Sequence, residues 1–251
     1  MPWKEDEGLL MIKARWLVGK TLSQVEDSIR QLDDASRVKT KAGAAYVTEH
    51  YFGIPANSGD EPDFPKLGIE LKSVPLKEKN GLLTVKEPLS LNMLNYMKEW
   101  KCDDINESSF YRKNKRILFV CYVHKGEKRS DYVIRYVFIW NMDGTVLDEL
   151  RPDFDRIITK IRAGNATDLH QRYDRYLTTC PKHNGKFKDP KERTSKIAQP
   201  FNDTPGERKA YRLKTTYMSL VISRDLGVSL QRSGRGLEAI WWRDTAGGPS
   251  L

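Results

Sequence analysis

The chain has 251 residues, enough for one well-packed domain, and its 39% hydrophobic and 31% charged residues are ordinary for a globular protein. Its net charge of +9 favours polyanionic partners such as nucleic acid, although many basic domains bind none. No apolar run approaches the length of a membrane-spanning helix, which argues against an integral membrane protein.

The start of the chain and its cysteines predict where the protein works. The opening residues, MPWKEDE, lack the apolar core of a secretion signal. The three cysteines are widely spaced and odd in number, so they indicate neither a disulfide framework nor a zinc site. We therefore expect a cytoplasmic protein.

Two helices are predicted in the first fifty residues. Thr21 is typical of an N-cap, and the pattern after it predicts a helix from Leu22 to Leu32. A second helix is predicted from Ala42 to Phe52, where Gly53 and Pro55 end it.

Strands are predicted next, after a loop at 57–62 that is rich in turn-forming residues. Alternation of side chains predicts a strand from Gly68 to Val74. Nearly continuous apolar runs at Arg116–His124 and Tyr132–Trp140 predict two strands near the middle of a sheet that is covered on both faces.

The second half of the chain is predicted to mix helices and loops. A helix is expected from Leu147 to Ala163, with Pro152 in its first turns. Residues 180–209 resemble a basic loop, and an apolar periodic pattern predicts a helix from Lys214 to Leu226.

The order of these elements predicts an α/β or α+β domain around a central mixed sheet. We expect this domain to occupy residues 1–232. The glycine-containing segment 233–251 is expected to be a C-terminal tail or the start of a linker.

The stretch EPDFPKLGIELK, residues 61–72, carries the main chemical signal. Glu70 and Lys72 are two positions apart on the predicted strand, so both side chains leave the same face. Asp63 ends the preceding loop and can fold back to that face. Two carboxylates beside an ammonium group suit Mg²⁺ binding and phosphodiester hydrolysis. The alternative is a weak ion pair on a solvated strand.

The segment DFPKLGIELKSVPL, Asp63 to Leu76, resembles the signature of the MutH-like family of PD-(D/E)xK endonucleases, which includes mismatch-repair and type II restriction enzymes. Further segments that resemble the family are VGKTLSQV at 18–25, EHYFG at 49–53, RKNKRILFV at 112–120, CPKHNGK at 180–186 and YRLKTTYMSLVI at 211–222. The resemblance implies a restriction-endonuclease-like core, with a central mixed β-sheet flanked by helices and a DNA-binding cleft.

The resemblance also implies a role for each residue of the site. Asp63 and Glu70 are the implied Mg²⁺ ligands, Lys72 the catalytic lysine, and Glu49 a supporting catalytic carboxylate. Lys113 matches a family lysine near the active site; a solvated charge before a strand is the alternative.

DNA contacts are expected from residues in the second half of the chain, namely Lys182, Lys186, Tyr211, Arg212 and Lys214. Lys182 matches a base-contacting lysine of the family's recognition loop. Cys180 stands where the family has an arginine, and Arg212 where it has a tyrosine. We therefore expect base recognition to differ, and we hypothesise that Arg212 reads guanine through its planar fork.

Six lysines and arginines lie between Lys182 and Lys196, against Asp189 and Glu192. Such a loop is suited to contacting the phosphates of a duplex, and a solvated surface loop is the alternative.

Together these features predict a Mg²⁺-dependent, sequence-specific type II restriction endonuclease acting on double-stranded DNA, as a monomer or a transient homodimer. Two alternatives remain: a strand-nicking endonuclease of mismatch repair, and a DNA-binding effector domain that does not cleave. The tail is also compatible with an additional C-terminal domain or an effector DNA as partner.

Overall fold

The computed structural model describes residues 1–32, 43–55, 59–79, 82–124, 126, 128, 132–182, 196–227, 230–232 and 238–241. Its α-helices are α1 Glu7–Arg15, α2 Leu22–Leu32, α3 Ala44–Tyr51, α4 Tyr96–Glu99, α5 Ser109–Asn114, α6 Gly144–Arg162 and α7 Thr215–Leu226. Its strands are β1 Glu70–Lys79, β2 Leu82–Val85, β3 Leu89–Met93, β4 Arg116–Val123, β5 Val133–Asn141, β6 Leu177–Pro181, β7 Lys196–Gln199, β8 Asn202–Glu207, β9 Lys209–Leu213, β10 Leu230–Arg232 and β11 Glu238–Trp241.

The chain divides into two compact units. The first unit comprises residues 1–87, 116–140 and 218–251, and the second comprises 88–115 and 141–217. Within the described ranges, no helix combines the length and apolar character needed to cross a membrane.

The first unit is built on a six-stranded mixed sheet in the order β10-β11-β2-β1-β4-β5. β1 pairs in parallel with β4, with Glu70 opposite Ile117, and antiparallel with β2. Helices α1, α2 and α3 pack against this sheet through buried apolar side chains, among them Leu10, Leu22, Val47, Leu71 and Val120. The predicted α/β class, with a mixed sheet flanked by helices, is confirmed.

Helix α2 begins and ends where the sequence predicts. The Thr21 hydroxyl accepts a hydrogen bond from the Gln24 N–H at 3.2 Å, and the Gln24 side chain accepts one from the Thr21 N–H at 2.8 Å. This reciprocal capping box satisfies two backbone donors at the helix start. Helix α3 ends at Tyr51, before the predicted stop at Gly53, whose φ is +56°. Ala42, its predicted start, lies outside the described residues.

The predicted position of β4 in the sheet is correct, and that of β5 is wrong. β4 lies between β1 and β5 and is almost entirely buried, whereas β5 is the last strand of the described sheet. The Ile134 backbone of β5 bonds to Gly19 N at 2.8 Å and to Lys20 O at 2.9 Å. A connecting segment thus covers part of this edge and pairs backbone groups that a bare edge would leave open.

The second unit contains a three-stranded sheet, β3-β9-β6, and the β7–β8 hairpin. Residues 180–209 were predicted as a loop, which is wrong for the described part, because β7 and β8 lie within it. The side chains of β8 are mostly exposed, so the hairpin leaves no apolar alternation in the sequence. Helix α6 starts three residues before the predicted Leu147, which puts Pro152 in its interior rather than in its first turns.

Two other predictions concern the end of the chain. Helix α7, Thr215–Leu226, confirms the predicted helix. Strand β11 lies in the segment predicted as a tail, and pairs with β2 through Ile240 opposite Leu83. The proposed domain boundary after residue 232 stays a prediction.

Candidate active site

A tight loop brings Asp63 to the first residue of β1. Phe64 is fully buried, its N–H donates to Ile69 O at 2.8 Å, and the Ile69 N–H returns to Phe64 O at 3.3 Å. Gly68 makes the turn possible, because its φ of +64° is unfavourable for residues with a Cβ atom. The eight residues from Asp63 to Glu70 therefore fold back on themselves.

Asp63 and Glu70 are joined by hydrogen bonds that fix both carboxylates. The Leu71 N–H donates to Asp63 Oδ2 at 2.9 Å, and the Asp63 N–H donates to Glu70 Oε2 at 3.2 Å. The expectation that Asp63 returns to the strand is met by this geometry. Each carboxylate keeps an oxygen that these two bonds do not use.

Lys72 pairs with the carboxylate of Glu70. The Glu70 side chain is 3% exposed and that of Lys72 is 21% exposed, and the Lys72 ammonium group donates to Glu70 Oε1. A carboxylate at this depth is costly unless it is paired and hydrogen-bonded. The ammonium group therefore compensates the buried charge and, because it is partly exposed, also faces outward.

Glu49 approaches the same group from helix α3. Burial and the negative charge of Asp63 raise the pKa of the half-buried Glu49 carboxyl, and the positive charge of Lys72 partly offsets the rise. These couplings mean that Glu49 lies within electrostatic reach of both residues. The structure thus brings together Glu49, Asp63, Glu70 and Lys72 in the first unit.

The donor set fits a hard divalent cation. Mg²⁺ prefers oxygen ligands and usually takes one or two carboxylates together with waters and substrate phosphate oxygens. Asp63 and Glu70 supply two adjacent carboxylates. Across the described ranges no group of three or more His, Cys, Asp or Glu side chains is arranged as a complete metal cage. The donor set therefore fits a two-carboxylate site formed by Asp63 and Glu70.

Arg116 is a contributor that the sequence did not single out. Its Nη1 donates to Leu67 O at 3.1 Å, in the loop between Asp63 and Glu70, and its Nη2 donates to Glu7 Oε2 at 2.6 Å. Arg116 therefore holds the loop that carries Asp63. A basic residue at a strand start gives no local signal for this role.

The predicted DNA contacts all lie in the second unit or outside the described residues. Tyr211 is fully buried on β9, and its hydroxyl donates to Glu99 Oε2 at 3.1 Å. A DNA contact by Tyr211 would require this side chain to leave the core, and its predicted role stays a prediction. Its neighbour Arg212 is partly exposed, and its Nε is buried without a hydrogen-bond partner among the described atoms. Lys186 and most of the predicted basic loop lie outside the described residues.

The remaining predicted lysines have mixed environments. Lys113 lies on α5 and Lys182 directly follows β6, and both are partly exposed. Lys214 Nζ donates to Gln171 O at 2.8 Å and to Asp174 O, so its side chain holds a loop. A DNA contact by Lys214 would require it to leave these carbonyls, whereas Lys113 and Lys182 keep their predicted roles as proposals.

Comparison with known proteins places this geometry in context. A family model described as the DNA mismatch repair enzyme MutH matches residues 52–153, the segment that holds Asp63, Glu70 and Lys72. The type II restriction enzyme Sau3AI of Staphylococcus aureus is 29% identical over 218 residues, or 84% of this chain and 41% of that protein. The DNA mismatch repair protein MutH of Shewanella woodyi is 25% identical over 235 residues, or 90% of this chain and 95% of that protein. MutH of Buchnera aphidicola is 28% identical over 177 residues, or 68% of this chain and 77% of that protein.

Proposed function

We propose that the chain, which is similar to the MutH-like family of DNA endonucleases, is a Mg²⁺-dependent endonuclease that hydrolyses double-stranded DNA at specific sequences. The observation that carries the proposal is the hydrogen-bonded set of Asp63, Glu70 and Lys72. Two fixed carboxylates and an ammonium group at one point suit the charge that develops at a phosphate under attack.

The mechanism assigns a task to each of these side chains. Asp63 and Glu70 would hold Mg²⁺ through their carboxylates, and the bound ion would polarise the phosphate and lower the pKa of water. Lys72 orients the attacking water or neutralises the pentavalent phosphorane. The water loses a proton as its oxygen bonds to phosphorus and the bond from phosphorus to O3′ breaks, and O3′ gains a proton in return. The products carry a 5′-phosphate and a 3′-hydroxyl group.

We assign supporting roles to Glu49 and Lys113. The charge of Asp63 acts on Glu49, and the raised pKa makes Glu49 accept a proton more readily than an ordinary glutamate. Lys113 is assigned to the active site only by its match to the family.

Two biological roles are supported by different observations. A type II restriction enzyme is our preferred role, because Sau3AI matches at the higher identity of 29% and because Cys180 and Arg212 differ from the family's recognition residues. The chain spans less than half of the length of Sau3AI. The second role is a strand-nicking enzyme of mismatch repair, which is supported by the match to the MutH family model and by the similarity to MutH of Shewanella woodyi.

Incubation of supercoiled plasmid with the protein and Mg²⁺ tests the proposal. Linear product with defined ends supports a restriction enzyme, and open circles support a nickase. Unchanged plasmid with a gel shift supports a binding module and overturns the nuclease proposal. Asp63→Ala and Lys72→Ala variants are expected to lose cleavage while they keep most of their DNA affinity.

Base recognition is proposed to involve Arg212 and Lys182, whose side chains are partly exposed. A guanidinium group can donate two hydrogen bonds to guanine, which is the hypothesis for Arg212. Sequencing the ends of digested DNA gives the recognition site directly. An unchanged cleavage pattern with the Arg212→Ala variant would remove Arg212 from that role.

A further inference from the structure

A pair of hydroxyl groups joins helix α3 to strand β1 beside the candidate active site. Thr48 Oγ1 and Ser73 Oγ are 2.8 Å apart, and Thr48 is 1% exposed. Their sequence neighbours are Glu49 and Lys72. The pair therefore links the two elements at the positions next to two residues of the site.

The direction of the hydrogen bond follows from the other contacts of Thr48. Its Oγ1 also lies 3.1 Å from Ala44 O and 2.9 Å from Ala45 O, and it has one proton to donate. A carbonyl oxygen can only accept, so the Thr48 proton goes to the helix backbone. Ser73 is then the donor to Thr48 Oγ1, and a chain of hydrogen bonds connects β1 through Thr48 to the backbone of α3.

We propose that Thr48 and Ser73 are positioning residues that hold Glu49 against Asp63 and Lys72; this inference rests on the proposed nuclease function. Helix α3 has only eight residues, too few for stable helix formation without tertiary contacts. Successive residues are 100° apart around a helix, so a small rotation of α3 would turn Glu49 away from its neighbours. A hydrogen bond one residue from Glu49 opposes both rotation and sliding of the helix.

The experiment compares steady-state cleavage by variants that keep or remove the hydroxyl groups. Thr48→Val and Ser73→Ala are expected to lower kcat about tenfold with little change in KM, because the site is assembled less often in its active geometry. Thr48→Ser keeps the hydroxyl group and is expected to restore the wild-type kcat. Thr84→Val is the matched control, because the buried Thr84 hydroxyl has no hydrogen-bond partner within the described part of the chain.

Hydrogen exchange of the backbone amides at residues 44–52 gives a readout that does not depend on cleavage. Faster exchange is expected in Thr48→Val and Ser73→Ala but not in Thr84→Val, because only the first two release α3 from β1. Equal exchange and equal kcat in all three variants would overturn the inference while the nuclease proposal stands. A wild-type protein without cleavage would overturn the nuclease proposal, and the anchoring of α3 would still be decided by exchange.

Discussion

Replacing Lys72 with methionine removes the ammonium group that pairs with Glu70 but keeps most of the apolar stem of the side chain. Glu70, at 3% side-chain exposure, then stays buried without that cation. Breaking a buried ion pair costs about 3–5 kcal/mol. Lys72 is 21% exposed, and Glu70 also accepts a hydrogen bond from the Asp63 N–H. Because of these two features, we expect a smaller loss of folding free energy, about 2 kcal/mol at neutral pH.

The same substitution acts on catalysis through a different physical effect. Lys72 is expected to stabilise charge that appears only in the transition state, and removal of one such donor lowers rates about 100- to 1,000-fold. DNA affinity should change little, because one of many basic groups is lost from a chain with 43 lysines and arginines.

The assay combines urea denaturation with single-turnover cleavage at saturating Mg²⁺. Lys77→Met is the matched control, because Lys77 is exposed on the same strand β1. The control is expected to match the wild type within about 0.5 kcal/mol, as surface substitutions usually do. If Lys72→Met were as stable and as active as Lys77→Met, the pairing and the catalytic role would both be refuted.

Glu49→Gln is expected to be more stable than the wild type at neutral pH. Folding raises the pKa of Glu49, so the free energy of unfolding of the wild type falls as pH rises from the ordinary pKa of 4.5 through the raised value. In urea melts at a series of pH values, the stabilities of the two proteins should therefore converge below pH 4.5. A stability difference that grows in acid would contradict this. Gly164→Ala is expected to lose about 2–3 kcal/mol, because φ is +69° and the new Cβ would lie 2.9 Å from Phe201 O, whereas at Gly144 nothing lies within 4 Å. Equal melting temperatures for the Gly164→Ala and Gly144→Ala variants would count against the close approach of the new Cβ to Phe201 O. DNA affinity should fall steeply as salt is added: the logarithm of the binding constant plotted against the logarithm of salt concentration should have a slope of about −0.9 for each phosphate neutralised. An affinity that does not change with salt would argue against contacts to the DNA phosphates.

Local sequence rules predicted several elements of this fold correctly. The sequence predicted Thr21 as the N-cap of α2, and its partner Gln24 is only three positions away, so a local signal sets the start of this helix. The pairing of Glu70 with Lys72 is equally local, because two residues apart on a strand share a face.

Predictions failed where a distant part of the chain determines the outcome. The nearly continuous apolar run of β5 is typical of a central strand. In the structure, β5 is the last strand of the described sheet, and the backbone of Gly19 and Lys20 covers part of its edge. The burial of Tyr211 also depends on a distant residue, because its hydroxyl group donates to Glu99, 112 residues away along the chain. Neither contact leaves a periodic pattern in the sequence.

The amino-acid sequence by itself determined the grouping of Asp63, Glu70 and Lys72, because these residues are close along the chain and a turn and a strand suffice to bring them together. The family resemblance implied a role for Glu49, but only the tertiary structure brought Glu49 within electrostatic reach of Asp63 and Lys72 and showed that Arg116 supports their loop. These two side chains come from elements separated in sequence, and their approach depends on how α3 and β4 pack around β1. Packing of that kind is decided by the whole apolar core, which no short segment encodes.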